Sequence, residues 1–348
     1  MPSENEESSQ KRVLLSGMAL GFLLGSVLMA VLFSIYSARS VNAMSGGQVR
    51  ILKLAHVLDQ EHPVHIAMEY MAGRLEAVSG GRMRLEVFPN GQLGSETDSI
   101  EQVQRGALAM VKTSTAPMEG FIPEMALFGL PYLFRDEEHY WKVLNGPIGQ
   151  ELLQKGLSQG LRGLCYYDSG SRSFYTTDGP ILHPEDLRGK KIRVMRSKMA
   201  MNMISQMGGS PTPIPWGELY TALQQGMVDG AENNAPSFFT SRHFEVTKHF
   251  SLDEHARIPD IILFSQPMWE ALSAQQRAWV QEAADESVLF QRKLWKENTA
   301  ESLEALKAAG VTIYEPDTEP FREVVQALYK PFEGGPIGTY VERIRAVQ

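Results

Sequence analysis

The sequence of 348 residues contains a single cysteine, Cys165, so no disulfide can form within the chain. Cys165 lies in the apolar run 164–167, which predicts an inert thiol on a buried strand. Positive charge is also in deficit, because 33 lysines and arginines stand against 41 aspartates and glutamates, giving a net charge of −8. That deficit argues against a nucleic-acid partner, whose phosphates the chain would repel. A small anionic ligand stays open, because two arginines inside a cleft can bind one in an acidic protein.

Several sequence motifs of catalysis are absent as well. The chain has no Walker loop, no glycine-rich dinucleotide motif and no HExxH zinc motif. The stretch 156–160 fits the nucleophile-elbow formula, but the expected order of strand and helix around its serine is reversed. His56, His62 and His65 cluster near the first helix, and Pro63 between them disfavours a metal site. We therefore expect a protein that is not an enzyme, with no catalytic residue, no cofactor and no metal.

One long apolar run stands near the N-terminus. Residues 13–36 carry no charge, follow Lys11 and Arg12, and are long enough to span a bilayer as a helix. The sequence up to Ala43 fits a small-residue cleavage site, so 1–43 is interpreted as a signal peptide or as an uncleaved membrane anchor. Both interpretations export the rest of the chain to the periplasm, and the second tethers it to the inner membrane. Because no second run of this length follows, the remainder is not a membrane channel.

The rest of the chain alternates strands with helices. A strand over 49–56, a helix from Pro63 to about Ser79 and an alternating strand over 83–88 give the order β-α-β. This order is typical of an α/β layer with a mostly parallel sheet. A second set of such elements starts near residue 161. Since no obvious sequence repeat links the two sets, we predict two lobes rather than one continuous sheet.

A third feature of the chain is a stretch rich in helix-forming residues over 273–309. It contains neither proline nor glycine, and at about 1.5 Å per residue its helix could approach 55 Å. A break near 297–299 would give two ordinary packed helices, whereas an unbroken helix would bridge the lobes. The predicted organisation is the N-terminal segment 1–43, lobe I over 49–172 with part of the C-terminal region, lobe II over 173–270, the spanning helix over 273–309, and C-terminal helices over 310–348.

Two arginines stand at or within strands that are otherwise apolar. Arg172 follows the apolar strand 161–167 in a loop of glycine and serine, and Arg193 lies inside the buried-looking strand Lys191–Val194. A charge at such a position must be paired or must face a polar cavity. Each arginine alone is more often part of a structural ion pair. His56 ends the first strand, and ligands of open α/β sheets lie beyond the carboxyl ends of strands.

The segment 186–194, DLRGKKIRV, resembles the most recognisable signature of TRAP-transporter solute receptors of the DctP type. The segment 216–233, WGELYTALQQGMVDGAEN, continues the resemblance, and so do PNGQLG at 89–94 and LPYLF at 130–134. The resemblance covers about residues 49–335. It implies a two-lobed α/β fold of the periplasmic-binding-protein kind, with a hinge and a long spanning helix. It also implies a ligand between the lobes, which the receptor delivers to the small and large membrane permease subunits.

The resemblance also implies roles for individual residues. Arg193 would form a bidentate ion pair with the ligand carboxylate, because a guanidinium matches a carboxylate and keeps its proton. Arg172 would be a second contact, Trp216 would cover the ligand, and Glu96 would accept hydrogen bonds from ligand hydroxyls. The predicted ligand-binding residues are Arg193, Arg172, Asn233, Trp216, Glu96, His56, Ser114 and Asn234.

The expected ligand is a small organic acid. Sialic acid receptors of this family carry an acid and an arginine after the third strand, where this chain has the sequence KTSTAP at 112–117. The runs 171–175 and 231–237 look more like receptors for hexuronates and related sugar acids, so we expect a ligand of that class. A C4-dicarboxylate receptor, a ligand-binding sensor subunit and a secreted enzyme acting on sugar acids remain as alternatives.

Overall fold

The computed structural model describes residues 49–348, so the predictions made for 1–43, including the apolar run 13–36, lie outside the described residues. The strands in chain order are β1 (Arg50–Ala55), β2 (Met83–Phe88), β3 (Met110–Ser114), β4 (Leu161–Tyr167), β5 (Arg172–Thr176), β6 (Lys191–Val194), β7 (Ser210–Pro213), β8 (Gly230–Asn233), β9 (His249–Ala256), β10 (Asp260–Ser265) and β11 (Thr312–Tyr314). The α-helices are α1 (Pro63–Ser79), α2 (Glu96–Gln104), α3 (Glu137–Asn145), α4 (Pro147–Leu153), α5 (Lys198–Gln206), α6 (Leu219–Gln224), α7 (Ala235–Thr240), α8 (Gln266–Glu270), α9 (Ala274–Ala308), α10 (Glu319–Val325) and α11 (Pro336–Ala346). No helix among these residues is both long enough and apolar enough to cross a membrane.

The strands form two separate sheets, which confirms the predicted two-lobed α/β fold. The first sheet has the order β2-β1-β3-β10-β4, and the second has the order β11-β9-β5-β8-β6-β7. In the first sheet β1 runs parallel to β2 and β3, while β10 lies antiparallel between β3 and β4. Although β10 falls in the range expected for lobe II, it completes the sheet of lobe I. The chain reaches it by crossing back from β9 of the second sheet.

The helix α9 runs unbroken over 35 residues, or about 52 Å. The break considered near 297–299 is absent. Two polar side chains there bond to carbonyls one turn earlier, because Asn298 Nδ2 donates to the Leu294 oxygen at 3.1 Å and Thr299 Oγ1 donates to the Trp295 oxygen at 2.8 Å. These bonds satisfy the side chains without opening the helix, and Ser273 and Gln276 form a capping box at its start.

This helix bridges the two lobes. Val280 is fully buried in the core that covers the first sheet, whereas Leu306 is fully buried in the core beside the second sheet. Midway along α9, Gln291 accepts from the Asp168 main-chain nitrogen and donates to its main-chain oxygen, both at 2.8 Å. Asp168 begins the crossing from β4 to β5. The helix is therefore fastened to the segment where the chain changes lobe.

Candidate ligand-binding site

A cleft of ≈ 430 Å³, partly open to solvent, lies where the two lobes face each other. Seven of the eight predicted ligand-binding residues line it, namely Arg193, Arg172, Asn233, Trp216, Glu96, Ser114 and Asn234. They come from both lobes, and the fold brings together residues that are up to 138 positions apart in the chain.

Arg193 on β6 lines the cleft and has a buried hydrogen-bond donor with no partner among the described residues. The residue is 2% exposed, and Nε donates to the Ile214 oxygen at 2.8 Å. Nη1 is buried and has no hydrogen-bond partner among the described residues. The guanidinium lies 5.6 Å from the ring centre of Trp216. Burial lowers the pKa of Arg193, but an arginine still keeps its charge at neutral pH. An anion in the cleft would satisfy this buried donor.

Arg172 on β5 is engaged differently, because the protein pairs it internally. Its Nε and Nη2 donate to both carboxylate oxygens of Glu232, and Nη1 donates to Asn233 Oδ1 at 2.9 Å. Burial alone lowers the pKa of Arg172, yet the pairing with Glu232 leaves it raised. The expectation of a ligand contact therefore needs refinement, since Arg172 lines the cleft but most of its donors already bind Glu232 and Asn233.

The pairing continues behind the cleft as a chain of buried charges. His255 on β9 is fully buried, with Nδ1 2.8 Å from Asp253 Oδ2 and Nε2 3.5 Å from Glu232 Oε2. Burial alone lowers the pKa of His255, but Asp253 and Glu232 raise it to about 9. Burial likewise works against ionisation of Glu232, yet Arg172 and His255 bring its pKa to about 2. Burial raises the pKa of Asp253, while the contact with His255 acts to lower it. Arg172 and His255 thus face Glu232 and Asp253 in one buried network.

Glu96 is the first residue of α2 and faces the cleft from the first lobe. Ser95 caps this helix, with its side chain accepting from the Asp98 nitrogen at 3.3 Å. Glu96 Oε1 accepts from Thr113 Oγ1 at 3.1 Å and from the Ser114 nitrogen at 2.9 Å. These bonds fix the carboxylate against the carboxyl end of β3. Its Oε2 takes part in neither bond and can accept from a ligand hydroxyl.

Of the clustered histidines, His62 rather than His56 lines the cleft. His56 Nδ1 accepts from the Leu58 nitrogen, and Nε2 lies 3.0 Å from His65 Nδ1, so both ring nitrogens already have protein partners. Burial lowers the pKa of His56 to about 2. The prediction that His56 contacts the ligand is therefore not supported by its place in the structure, and His62 occupies the position facing the cleft.

His62 joins the two lobes across the cleft. Its Nδ1 accepts from the Val64 nitrogen at 3.2 Å and thereby caps α1. In a neutral ring the proton then sits on Nε2, which donates to Ser237 Oγ of α7 at 3.0 Å. Burial lowers the pKa of His62 well below 6.5, which favours this neutral form. Thr240 Oγ1 donates to Asp59 Oδ2 at 2.8 Å nearby, so a second bond joins the same two edges.

The two asparagines after β8 have different tasks. Asn234 Oδ1 accepts from the Ser237 nitrogen at 2.8 Å, and its Nδ2 donates to the Ser169 oxygen at 2.9 Å. Asn234 is thus the cap of α7 and also fastens that helix to the crossing segment. Asn233 Oδ1 accepts from Arg172 and from the Asn234 nitrogen. Its Nδ2 takes part in neither bond and is the group that can donate to a ligand.

Sequence reasoning missed five polar residues of the cleft: His62, Lys112, Ser169, Ser237 and Asp260. Lys112 carried a usable signal, because it is a charge inside the apolar strand β3 and the argument made for Arg193 applies to it equally. Asp260 stands at the start of β10 and pairs with Lys112 only because β10 inserts beside β3. The spacing of Lys112 and Asp260 in the sequence does not predict that pairing.

The geometry agrees with the comparison to known proteins. The family model for bacterial extracellular solute-binding protein, family 7, called DctP, matches residues 54–334. This chain belongs to the DctP family. The membership predicted from the segments 186–194 and 216–233 is confirmed.

Solved structures of TRAP periplasmic solute binding proteins are similar to this chain over nearly their whole length. A TRAP periplasmic solute binding protein from Xanthobacter autotrophicus, with bound β-D-galacturonate, is 41% identical with a TM-score of 0.83, covering 85% of this chain and 100% of that one. Another from Roseobacter denitrificans, with bound β-D-glucuronate, is 38% identical with a TM-score of 0.83, covering 86% and 100%. The C4-dicarboxylate-binding periplasmic protein DctP of Rhodobacter capsulatus is 30% identical over 310 residues, 89% of this chain and 92% of that protein.

Within the DctP fold, the signature segments of this chain supply the walls of the cleft. The segment 186–194 contains β6 and delivers Arg193, and the segment 216–233 begins with Trp216 and ends with Asn233 on β8. Because β5 runs antiparallel to β8, Phe174 lies opposite Glu232. Arg172 is two residues from Phe174 on β5, so its side chain is on the same face of the sheet as that of Glu232 and can reach it. The signature segments thus contain Arg193 and also Glu232 and Asn233, which bind Arg172.

Proposed function

We propose that this DctP-family protein is the extracytoplasmic receptor of a TRAP transporter and that it binds a hexuronate or a related sugar acid in the cleft. The observation that carries the proposal is the buried Nη1 of Arg193, which has no partner among the described residues. A buried donor on a charged group is costly to leave unpaired. A ligand carboxylate supplies the missing acceptor and a compensating charge, and it makes the strong, bidentate kind of bond that arginine favours.

The other walls of the cleft fit the rest of a sugar acid. Trp216 offers an apolar face next to Arg193, against which the C–H groups of a sugar ring can pack. Glu96 and Asn233 offer an acceptor and a donor for ligand hydroxyls. Support also comes from the similar structures of the Xanthobacter and Roseobacter proteins, which hold galacturonate and glucuronate.

Closure of the lobes would follow from contacts that only the closed form makes. The bonds from His62 to Ser237 and from Thr240 to Asp59 cross between the lobes. A ligand can shift the equilibrium between open and closed forms only by its difference in affinity for the two. Glu96 and Ser114 in the first lobe, and Arg193 and Asn233 in the second, give a sugar acid contacts on both sides, which favours the closed form.

A C4-dicarboxylate is the second candidate ligand, because the similar protein of Rhodobacter capsulatus is named for binding one. A second carboxylate would lie near Glu96, whose own charge opposes it. We therefore favour a ligand that presents hydroxyls, rather than another carboxylate, to the first lobe.

The partners we propose are the small and large membrane permease subunits, with the receptor acting in the periplasm and without chemical change of the ligand. Residues 1–43 would supply export, either as a cleaved signal peptide or as a retained anchor. Mass spectrometry of the exported protein separates the two, because cleavage after Ala43 gives a mature chain that begins at Met44. Recovery of the bound ligand unchanged, checked by NMR after long incubation, separates the receptor from an enzyme.

Isothermal titration calorimetry of the purified protein tests the ligand class. We expect galacturonate or glucuronate to bind and galactose, which matches galacturonate but lacks the carboxylate, to show no detectable binding. Gluconate, malate, succinate and sialic acid complete the panel. Binding of malate or succinate alone would replace the sugar acid by a C4-dicarboxylate. Binding of galactose as tight as that of galacturonate would remove Arg193 from its proposed role.

A further inference from the structure

A buried ion pair lies on the wall of the cleft, outside the set of predicted ligand contacts. Lys112 Nζ and Asp260 Oδ2 are 2.6 Å apart, and their side chains are only 4% and 8% exposed. Both residues line the cleft. The antiparallel register of β3 and β10 sets Lys112 opposite Ile262 and Asp260 opposite Ser114. Lys112 and Asp260 are therefore diagonal neighbours on the same face of the first sheet.

Burying such a pair costs free energy, because both charges lose their hydration. Replacing a buried ion pair by apolar residues of similar volume is often neutral or stabilising, because two charges must leave water. Stability therefore gives no reason to keep the pair, whereas a place on the cleft gives one. Burial raises the pKa of Asp260 and the nearby ammonium of Lys112 lowers it. At a separation of 2.6 Å, the carboxylate of Asp260 offsets the charge of Lys112.

The three cations of the cleft differ in whether a carboxylate neutralises them. Arg172 is paired with Glu232, and Lys112 is paired with Asp260. Arg193 has no carboxylate within ion-pair distance among residues 49–348. Of the three cations in the lining of this cleft, Arg193 is therefore the one left without a carboxylate partner, and it can take one ligand carboxylate.

The negative charges strengthen this restriction. Glu96 is fixed on β3 by Thr113 and Ser114, close to the Lys112–Asp260 pair along the same strand. A second ligand carboxylate on this wall would lie near the charges of Glu96 and Asp260. A hydroxyl in the same place can donate to either acid and accept from Lys112. The wall thus suits the hydroxyl-bearing end of a monocarboxylate.

We infer that the Lys112–Asp260 pair is a specificity-determining element that restricts the cleft to sugar acids with one carboxylate, because Asp260 cancels the charge that would otherwise bind a second one. The inference rests on the proposed function and narrows its ligand class, since it separates uronates and aldonates from aldarates and C4-dicarboxylates.

Galactonate and galactarate form a matched pair of ligands for the test. Both are open-chain six-carbon acids with the same hydroxyl pattern, and they differ at one end, which is a CH₂OH group in galactonate and a carboxylate in galactarate. Calorimetry, or displacement of bound galacturonate where affinity is low, should show galactonate binding wild-type protein at least tenfold more tightly than galactarate. In Asp260→Asn, where Lys112 loses its carboxylate partner, the ratio of the two dissociation constants should move at least tenfold toward galactarate.

A double variant isolates the role of the ammonium. In Lys112→Gln with Asp260→Asn neither charge remains, so most of the shift toward galactarate should disappear. Asp260→Ser makes the same change of charge with a smaller side chain and replaces Asp260→Asn if that variant unfolds. The wild-type ratio needs no variant and can overturn the inference even if none of them folds, whereas the variants assign the preference to the Lys112–Asp260 pair.

The failure of this inference is distinct from the failure of the proposed function. If wild-type protein binds galacturonate but prefers galactarate to galactonate, the specificity assignment is wrong and the receptor assignment stands. The specificity assignment is also wrong if the ratio of the dissociation constants of galactonate and galactarate in Asp260→Asn stays within twofold of the wild-type ratio. If wild-type protein binds none of the sugar acids, the proposed ligand class itself falls, and this inference falls with it.

Discussion

Replacing Arg193 by glutamine should abolish most ligand affinity while leaving the ligand-free protein about as stable as before. Nη1 of Arg193 is buried and has no partner among residues 49–348, so in the ligand-free state the guanidinium makes few bonds whose loss would matter. With a carboxylate bound, it becomes half of a buried ion pair. Truncating one partner of such a pair costs about 2–5 kcal/mol, which corresponds to roughly 30- to 5,000-fold in the dissociation constant.

Arg172→Gln is the matched comparison, because it makes the same chemical change in the paired arginine. Here the carboxylate of Glu232 is left buried with less compensation, since Arg172 supplies bonds to both of its oxygens. Breaking a buried pair in this way costs about 3–5 kcal/mol of folding stability. We therefore expect Arg172→Gln to lower the free energy of unfolding far more than Arg193→Gln does.

Two assays on the same samples test the contrast. Calorimetric titration with galacturonate measures affinity, and urea unfolding without ligand measures stability. The reasoning is refuted if Arg193→Gln keeps its affinity within about threefold of wild type, or if it loses as much stability as Arg172→Gln.

Three further predictions concern single residues. Trp216→Leu should weaken galacturonate binding about tenfold through lost ring packing and should change malate binding much less; equal losses for both ligands would contradict a ring contact. His255 has its pKa raised to about 9 by Asp253 and Glu232, against the effect of burial, so its stabilisation is complete below about pH 6.5 and is lost as the pH rises through 9. Urea unfolding should show this decline for wild type and a flatter profile for His255→Gln, and equal profiles would show that His255 is not charged. Burial raises the pKa of the Cys165 thiol, so a disulfide reagent should modify it only on unfolding, and rapid modification of native protein would disprove that burial.

The sequence predicts the architecture well because its strongest signals are local. The helix Pro63–Ser79 has proline at its first position and Gly80 with a φ of 61° after its end, and its bounds agree with the predicted ones. The strands β2 and β6 also agree with prediction, since alternation and apolar character mark them. The continuity of α9 is less visible, because Asn298 and Thr299 look like a break until their bonds to the preceding turn are known.

The site could be predicted in composition but not in its pairing. An arginine on an apolar strand, such as Arg193, predicts polar surroundings. Only the antiparallel pairing of β5 and β8 shows that Glu232 pairs with Arg172, so that Arg193 has no carboxylate partner among the described residues. Lys112 and Asp260 meet only because β10 returns from the second lobe to the first sheet. Partners this far apart in the chain leave no periodic signal, so their roles depend on topology.

The most direct test of the central claim is a crystal structure of the protein with galacturonate. We expect one ligand in the cleft, with its carboxylate bonded to Arg193 Nη1, its ring against Trp216 and a hydroxyl bonded to Glu96. A carboxylate bound elsewhere, with Arg193 Nη1 still unpartnered, would contradict it.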